Sequence, residues 1–380
     1  MPRWHLFGVQ IQAVTWAKTT LLILSLGVTS SAFSAEKAPL FSEESILKAV
    51  LTAPLTQAYE QRDQEVRLWF PGQWSYTGGD GQSERLEVAI RGRGNFRRQN
   101  CQLMPLQLNF KKKQVDGTLF DGQNKLKLVA PCQHGAESQQ DLVLEYLAYR
   151  TLEILTEKSF GTRLVRLSYV DSDEKKGSWT DLVFLIEDEG DLGKRLGLDK
   201  ARTSANRFEE LDMPATALVE LFQFMIANHD YSVLQGPEDN YCCHNVEMYV
   251  SEEAADKRIP IPYDFDMSGL VNARYAAPPE HLPIRLVRTR YYRGLCQPEE
   301  VFESTVRHFQ SKREEILDLY RRSEELSRLR KSRTLAYLQQ FFEILDSKSK
   351  TREQIIDRCR GQERLDAMMA DPATGSTLGQ

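Results

Sequence analysis

Between Asn228 and Gly269 an acid, an amide and two further acids are set around a pair of short apolar runs, and this spacing constrains the 380-residue chain more than any other feature. An apolar segment of helical character, Ala217 to Ala227, leads into Asn228-His229-Asp230. Cys243-His244-Asn245 follows, then the runs Val246 to Val250 and Arg258 to Pro262, then Tyr263-Asp264-Phe265-Asp266-Met267-Ser268-Gly269. The two runs read as a β-hairpin. Asp230 and Asn245 therefore come before the hairpin and Asp264 after it, with short strands setting their separation. Oxygen donors spaced in this way suit a hard cation and phosphoryl transfer: one Asp orients a nucleophile while an Asn and an Asp hold the metal. The competing reading is a solvated loop in which Asp and Asn cap helix ends.

The chain opens with Arg3, His5 and Lys18, the apolar run Leu21 to Val28, and the small residues Ser31-Ala32-Phe33-Ser34-Ala35. This order reads as a secretory signal peptide over residues 1–35, with an uncleaved anchor as the alternative. No later segment is apolar enough to span a bilayer, so a periplasmic or secreted protein without a membrane span is expected after signal removal. A net charge of -5 spread over both signs excludes nucleic acid as the expected partner. All six cysteines follow the signal segment, which predicts disulfides. Cys101 precedes the alternating run Leu106 to Phe110 and Cys132 follows Leu126 to Val129. An antiparallel hairpin centred on Asp116-Gly117 sets these two cysteines opposite each other. The adjacent Cys242 and Cys243 are not expected to bond each other; one of them is expected to reach Cys296, with Cys359 also available. Zinc at Cys242, Cys243 and His244 competes, but no second C-x-x-C or H-x-x-x-H supports it.

Strand-like runs dominate from Arg85, with Leu86 to Arg91, Thr162 to Val170 and Leu182 to Glu187 joining the hairpin just described. Asp141 to Leu155 has helical period, and beyond Pro298 the chain reads as helical to about Met369. Strands first and helices later predict an α+β fold in two parts, a strand-rich one over 36–187 and a mainly helical one over 188–370, with a frayed tail over 371–380.

Glu145 falls in the middle of the apolar stripe of the Asp141 to Leu155 helix, between Leu142 and Tyr149 on one side and Ala148 and Leu152 on the other. A carboxylate buried there needs a cation. Lys127, central in the preceding strand, is the expected partner, with Lys125 as second choice. The alternatives are a purely structural pair, or a Glu that reaches the surface. The segment Arg91-Gly92-Arg93-Gly94-Asn95-Phe96-Arg97-Arg98 combines small residues with arginines, a composition that lets backbone and guanidinium groups approach phosphate. It also reads as a hairpin corner with solvated charges.

Several of these elements together resemble the CotH-like atypical kinases. Arg91-Gly92 with its following basic residues resembles that family's RGxS stretch. Phe224 to Asp230 resembles its N-x-D catalytic segment, His244-Asn245 its metal-binding Asn, and Tyr263-Asp264-Phe265-Asp266 its W-D-x-D metal motif. Leu182 to Glu187 is similar to the strand that enters its interlobe hinge. The resemblance spans roughly residues 85–270 as short motifs. It implies a bilobal kinase-like fold, with a strand-rich N-lobe and a helical C-lobe, that transfers phosphate from ATP to protein hydroxyls with Mg or Mn. It also implies Asp230 as the nucleophile-orienting residue, Lys127 and Glu145 as the phosphate-contacting pair, Arg91 and Arg93 beside the nucleotide, and Asn245, Asp264 and Asp266 at the metal. Asp230 and Asn245 are further apart than in ordinary protein kinases, so Ser232 to Tyr241 must be looped out. Pro-Tyr-Asp-Phe-Asp and Arg293-Gly294-Leu295-Cys296 are also similar to elements of a group of bacterial exported proteins, a likeness that implies no activity.

Two other classes remain open. His229, Asp230, His244, Asp264 and Asp266 suit a mixed nitrogen and oxygen metal site of a hydrolase. A catalytically inert, disulfide-stapled envelope binding protein is the other, with the charged helical stretch Arg313 to Arg352 as a candidate partner surface or a solvated face. The basic and aromatic run Arg285 to Arg293 stands where a kinase activation segment would, either to bind an anion or to neutralise carboxylates and tie the segment down.

Overall fold

The computed structural model describes residues 1–3, 37–78, 81–236, 242–363 and 366. The expected signal segment beyond its first three residues, the tip of the Ser232 to Tyr241 loop and the tail from Asp371 lie outside these residues. The chain divides into Met1–Ser34 and Ala35–Gln380, and the second unit carries every strand and helix among the described residues.

Seven strands form a closed barrel: β1 (Leu47–Ala53), β2 (Phe70–Thr77), β3 (Ser83–Gly92), β4 (Leu106–Phe110), β5 (Lys125–Val129), β6 (Thr162–Asp171) and β7 (Trp179–Ile186). Their order is β1-β2-β3-β4-β5-β7-β6, and parallel pairing of β1 with β6 closes the circle. Alternation explains the interior. Leu47, Ala49, Leu51 and Ala53 of β1 face inward, as do Leu86, Val88 and Ile90 of β3 and Leu106, Leu108 and Phe110 of β4. Trp74 fills the centre with no exposed surface, its ring edge-on to Phe110 and Phe120. Gly72 is required where β2 crosses β1, because a Cβ there would lie 2.8 Å from the Thr52 carbonyl oxygen and 2.9 Å from the Ala53 Cβ. Closure leaves no unpaired strand edge within the barrel.

The helices are α1 (Pro39–Ser42), α2 (Leu55–Glu60), α3 (Phe96–Asn100), α4 (Lys112–Val115), α5 (Ala136–Leu155), α6 (Glu189–Leu196), α7 (Met213–Ile226), α8 (Glu299–Ser311), α9 (Arg313–Arg322), α10 (Arg328–Leu345) and α11 (Lys348–Gln354). Strands β8 (Asp199–Lys200), β9 (Val246–Val250) and β10 (Ile259–Pro262) make a separate small sheet, with β9 and β10 the expected antiparallel hairpin. A second apolar core joins α5 to α7, α9 and α10 through side chains such as Leu152, Phe222, Tyr320 and Phe341. Asp212 caps α7 by accepting from the Ala215 N–H at 2.8 Å, and the helix ends at Ala227 with left-handed backbone.

The fold is α+β, as expected. The strand-rich part closes into a barrel, a feature no sequence signal announced. The β4–β5 hairpin forms, with Leu106 opposite Leu128 and Gln107 opposite Lys127. Its connection is longer than a two-residue hairpin loop: α4 comes first, and the expected turn at Asp116-Gly117 follows it, with the Thr118 N–H donating to the Val115 carbonyl at 3.1 Å and Gly117 at φ 72°. The Cys101–Cys132 disulfide is present. The other two expectations fail: Cys296 bonds Cys359, and Cys242 bonds its neighbour Cys243. A short parallel bridge explains the first, because the Cys296 N–H donates to the Arg360 carbonyl at 2.9 Å and the Arg360 N–H to that of Gly294 at 3.0 Å. With Cys296 engaged, Cys242 and Cys243 have only each other, and both sulfurs accept from Asn206 Nδ2. Three disulfides are compatible with an exported protein. Among the described residues no helix is long and apolar enough to cross a membrane.

Peptide mapping without reductant should recover a Cys296–Cys359 cross-linked pair; a Cys242 or Cys243 link to Cys296 would contradict the fold at this point. Replacing both Cys296 and Cys359 by Ser should lower unfolding stability in urea by about 2–4 kcal/mol, since the bridge closes a long loop.

Candidate functional site

Three chain segments converge on one small cavity. The end of α7 delivers Asn228 and Asp230, β9 begins just after Asn245, and β10 ends just before Asp264. The Asn245 side chain donates to the Asp230 Oδ2 at 3.0 Å and to its carbonyl at 2.8 Å, while the Tyr263 N–H donates to the Asn245 carbonyl at 3.0 Å. Asn245 and Asp264 both hold left-handed backbone, with φ of 52° and 63°. Such conformations cost on the order of 1 kcal/mol or more outside glycine, and surrounding contacts must impose them. For Asp264 one such contact is visible: its N–H donates to the buried Tyr149 hydroxyl of α5 at 2.8 Å.

The cavity encloses about 100 Å³, and its walls include Arg93, Arg97, Lys127, Asp230, Asp264 and Asp266. A larger hollow of about 1050 Å³ lies between α8, the end of α10 and α11. We place the site in the smaller one, because there buried acids and cations face one another, whereas much of the larger hollow is lined by exposed charges.

Glu145 is buried on α5 as expected, but it does not meet Lys127. The Arg97 guanidinium pairs with Glu145 at 2.9 Å and reaches Asp266 at 3.6 Å, and it also donates to the Ala130 carbonyl at 2.5 Å. Lys127 pairs instead with Glu189, between the rings of Phe160 and Tyr263 at 5.3 and 5.0 Å. Register explains the exchange. Lys127 lies opposite Ile186 on β7, three residues before Glu189 opens α6, whereas the turn at Gly94 carries α3 and Arg97 to Glu145. Lys125, the second choice, is exposed. Arg93 lines the cavity, while Arg91 stacks over Trp69 at 4.4 Å and does not. Arg97 was within the singled-out arginine segment, yet nothing in the sequence set it apart from its neighbours.

Burial drives the electrostatics. It pushes Glu145 up to about 8, with Arg97 opposing and Asp266 and Asp264 adding to the rise. Burial and then Asp264 raise Asp266 to about 6, and Asp266 accepts from the Tyr275 hydroxyl at 2.8 Å. Arg97 stays charged: burial opposes this, but Tyr275, Glu145 and Asp266 hold it well above its ordinary value. The partners of the other pair respond unequally. Burial outweighs Glu189 and lowers Lys127, whereas for Glu189 burial is overcome by Lys127 together with its own backbone N–H and Lys200, which hold it down to about 2. Lys127 is the more enclosed of the two, so this inequality follows from geometry.

Asp230 also accepts from His244, whose Nε2 lies 2.7 Å from Oδ1. That bond holds His244 above 6.5 against partial burial. His229 turns away and donates to the Thr289 carbonyl at 2.9 Å, so the set drawn up for a metallohydrolase does not assemble. Among the described residues no group of three or more His, Cys, Asp or Glu is placed to hold a metal ion. The Arg285 to Arg293 run is largely structural. Arg288 donates to the Gly269 carbonyl, Arg290 to those of Met225 and Tyr337, and Arg293 to that of His229.

No family model, no curated protein and no solved structure matches the chain.

Arg97→Met should cost on the order of 3–5 kcal/mol in urea unfolding above about pH 8, where Glu145 and Asp266 are both ionised and would be buried without their cation. Glu145→Gln should cost far less and should flatten the pH dependence. Between 4.5 and about 8 folded Glu145 keeps a proton that the unfolded chain has released, so wild-type stability falls as pH rises through that window. Equal losses for the two variants would contradict this assignment.

His244 should titrate above 6.5 by NMR and move down in Asp230→Asn. Its contribution to stability is present below 6.5 and lost as pH rises through the raised value.

Proposed function

We propose that the chain is an exported phosphotransferase of the kind its CotH-like motifs imply, a bilobal atypical kinase acting with a Mg or Mn nucleotide on an acceptor that includes protein hydroxyls among its candidates. The observation that carries this reading is the convergence of Asp230, Asp264 and Lys127 on one cavity from three separate segments, with Asn245 bonded to Asp230 behind it. On this reading the barrel stands for the N-lobe and the helical part for the C-lobe, with α6 following the hinge.

The donor types suit a hard cation: Asn245 and Asp264 would supply oxygen, Asp266 follows Asp264 by two residues, and the buried Glu145 Oε1 has no hydrogen-bond partner. A bound Mg²⁺ or Mn²⁺ would supply charge against phosphate oxygens. Lys127 and Arg93 would face the phosphates as cations from the barrel side. Asp230 would accept a hydrogen bond from the acceptor hydroxyl and take its proton, while His244 and Asn245 hold the carboxylate in place. Nucleotide sites measure several hundred Å³, so binding on this reading requires the cavity to widen.

One observation favours an inert binding protein instead: both Asp230 oxygens are already engaged, by His244 and by Asn245.

A thermal-shift screen separates the readings. Mg or Mn with ATP should stabilise the protein when neither component alone does, and Asp264→Ala should abolish that joint effect. Asp230→Asn should keep nucleotide binding but lose transfer of labelled phosphate by about 100-fold or more. Stabilisation by Zn or Mn alone would favour the hydrolase. No response to any pair would exclude the phosphotransferase and leave the inert binding protein.

A further inference from the structure

The loop before β2 and the turn after β3 together carry an unexplained surface. Val66 is 74% exposed, Leu68 48%, Trp69 41% and Phe96 45%. These are four of the nine large apolar side chains exposed among the described residues, and Phe96 also packs its ring against Tyr275 at 5.5 Å. The Arg67 guanidinium donates to the Asn95 side chain at 3.1 Å, joining the loop to the turn that carries Phe96. The Arg91 guanidinium lies over the Trp69 ring, 4.4 Å from its centre. Arg67 also lies within the electrostatic reach of Arg98, Arg91 and Arg93. Concentrated exposed apolar surface of this kind marks a contact site.

We infer that this surface docks the protein on an anionic lipid bilayer, with Val66, Leu68 and Trp69 entering the headgroup boundary and the arginines meeting lipid phosphates. Charge and shape favour this occupant. The chain is acidic overall, yet the loop and turn offer the partly exposed Arg67, Arg91 and Arg93 against Asp63 and Glu65. Guanidinium groups match phosphate oxygens in fork geometry, and Trp beside Arg suits an interface that is apolar on one side and wet on the other. A side chain three quarters exposed projects from the surface. Projecting apolar groups bury little against another rigid surface but sink readily into acyl chains. Phe96 and Arg93 also line the cavity, so docking would turn the mouth of the site toward the headgroups. The inference does not depend on the phosphotransfer reading.

Co-sedimentation of the full chain with vesicles tests it. The wild type should bind vesicles of phosphatidylglycerol and phosphatidylcholine in equal parts, and phosphatidylcholine alone only weakly. Val66→Ser with Leu68→Ser should lower binding on the order of tenfold or more, and Arg67→Gln by about fivefold. Unchanged melting temperatures would establish that both variants fold. Variants that bind as well as wild type would overturn the inference and assign binding to the N-terminal apolar run. Wild-type protein that binds neither vesicle, or that prefers an acidic glutamate and tyrosine copolymer to the vesicles, would overturn it as well.

Discussion

The Arg97 guanidinium is the contact on which the rest of the arrangement depends. It sits on a helix of only five residues, yet it meets a carboxylate of α5, a carboxylate that follows β10 and a carbonyl next to β5. Those three elements belong to the barrel, to the long helix lying against it and to the helical part. Low-dielectric surroundings make each of these charges costly alone and strongly attractive together. Without a cation at this point, Glu145, Asp264 and Asp266 would repel across a space too small to hydrate them. The arginine also leaves Lys127 free of Glu145, and so available to Glu189 at the start of α6.

Each acid is then placed by ordinary packing. Tyr149, one turn beyond Glu145 on α5, packs its ring at a tilt against Phe265 at 4.5 Å and accepts from the Asp264 backbone. Phe265 is fully buried while its two flanking carboxylates face the cavity, so one apolar anchor positions both. The hydroxyl of Tyr275 then takes up Asp266. The Arg288 to Arg293 segment holds the opposite side through backbone carbonyls, which need no particular side chain in return.

Much of this was legible in the sequence. Period and alternation located α5, α7, β3 to β7 and the β9–β10 hairpin, because in each the apolar pattern has one period and turn residues bound it. Glu145 was legible because a single acid interrupted a helical stripe. Strands β1 and β2 were not: Pro71 and Gly72 break the pattern of β2, and Leu47, Ala49 and Leu51 alternate inside the stretch Ser42 to Tyr59, which reads as one amphipathic segment. Missing those two strands concealed the closure of the barrel. The exchange of Lys127 for Arg97 was equally hidden, since the choice between two nearby cations depends on β5–β7 register and on where α3 leaves its turn. Neither is local information. The cysteine pairings divide in the same way: Cys101 and Cys132 flank one hairpin, whereas Cys296 and Cys359 meet through a bridge between distant segments.

Barrel closure by the parallel pairing of Leu47 with Val165 and of Ala53 with Asp171 has a consequence for the order of assembly. A chain that emerges from its N-terminus presents β1 long before β6 exists. Until then β1 can be satisfied on one side only, by β2. Loop closure over so many residues is entropically slow, and the unpaired edge of β1 is meanwhile a template for other chains. The hairpins β2–β3 and β4–β5, local and quick to pair, can wait as a partly formed sheet. The last step is then the joining of the first strand to the sixth, so a chain interrupted before Val165 would have every interior residue of β1 and no second strand to close over them.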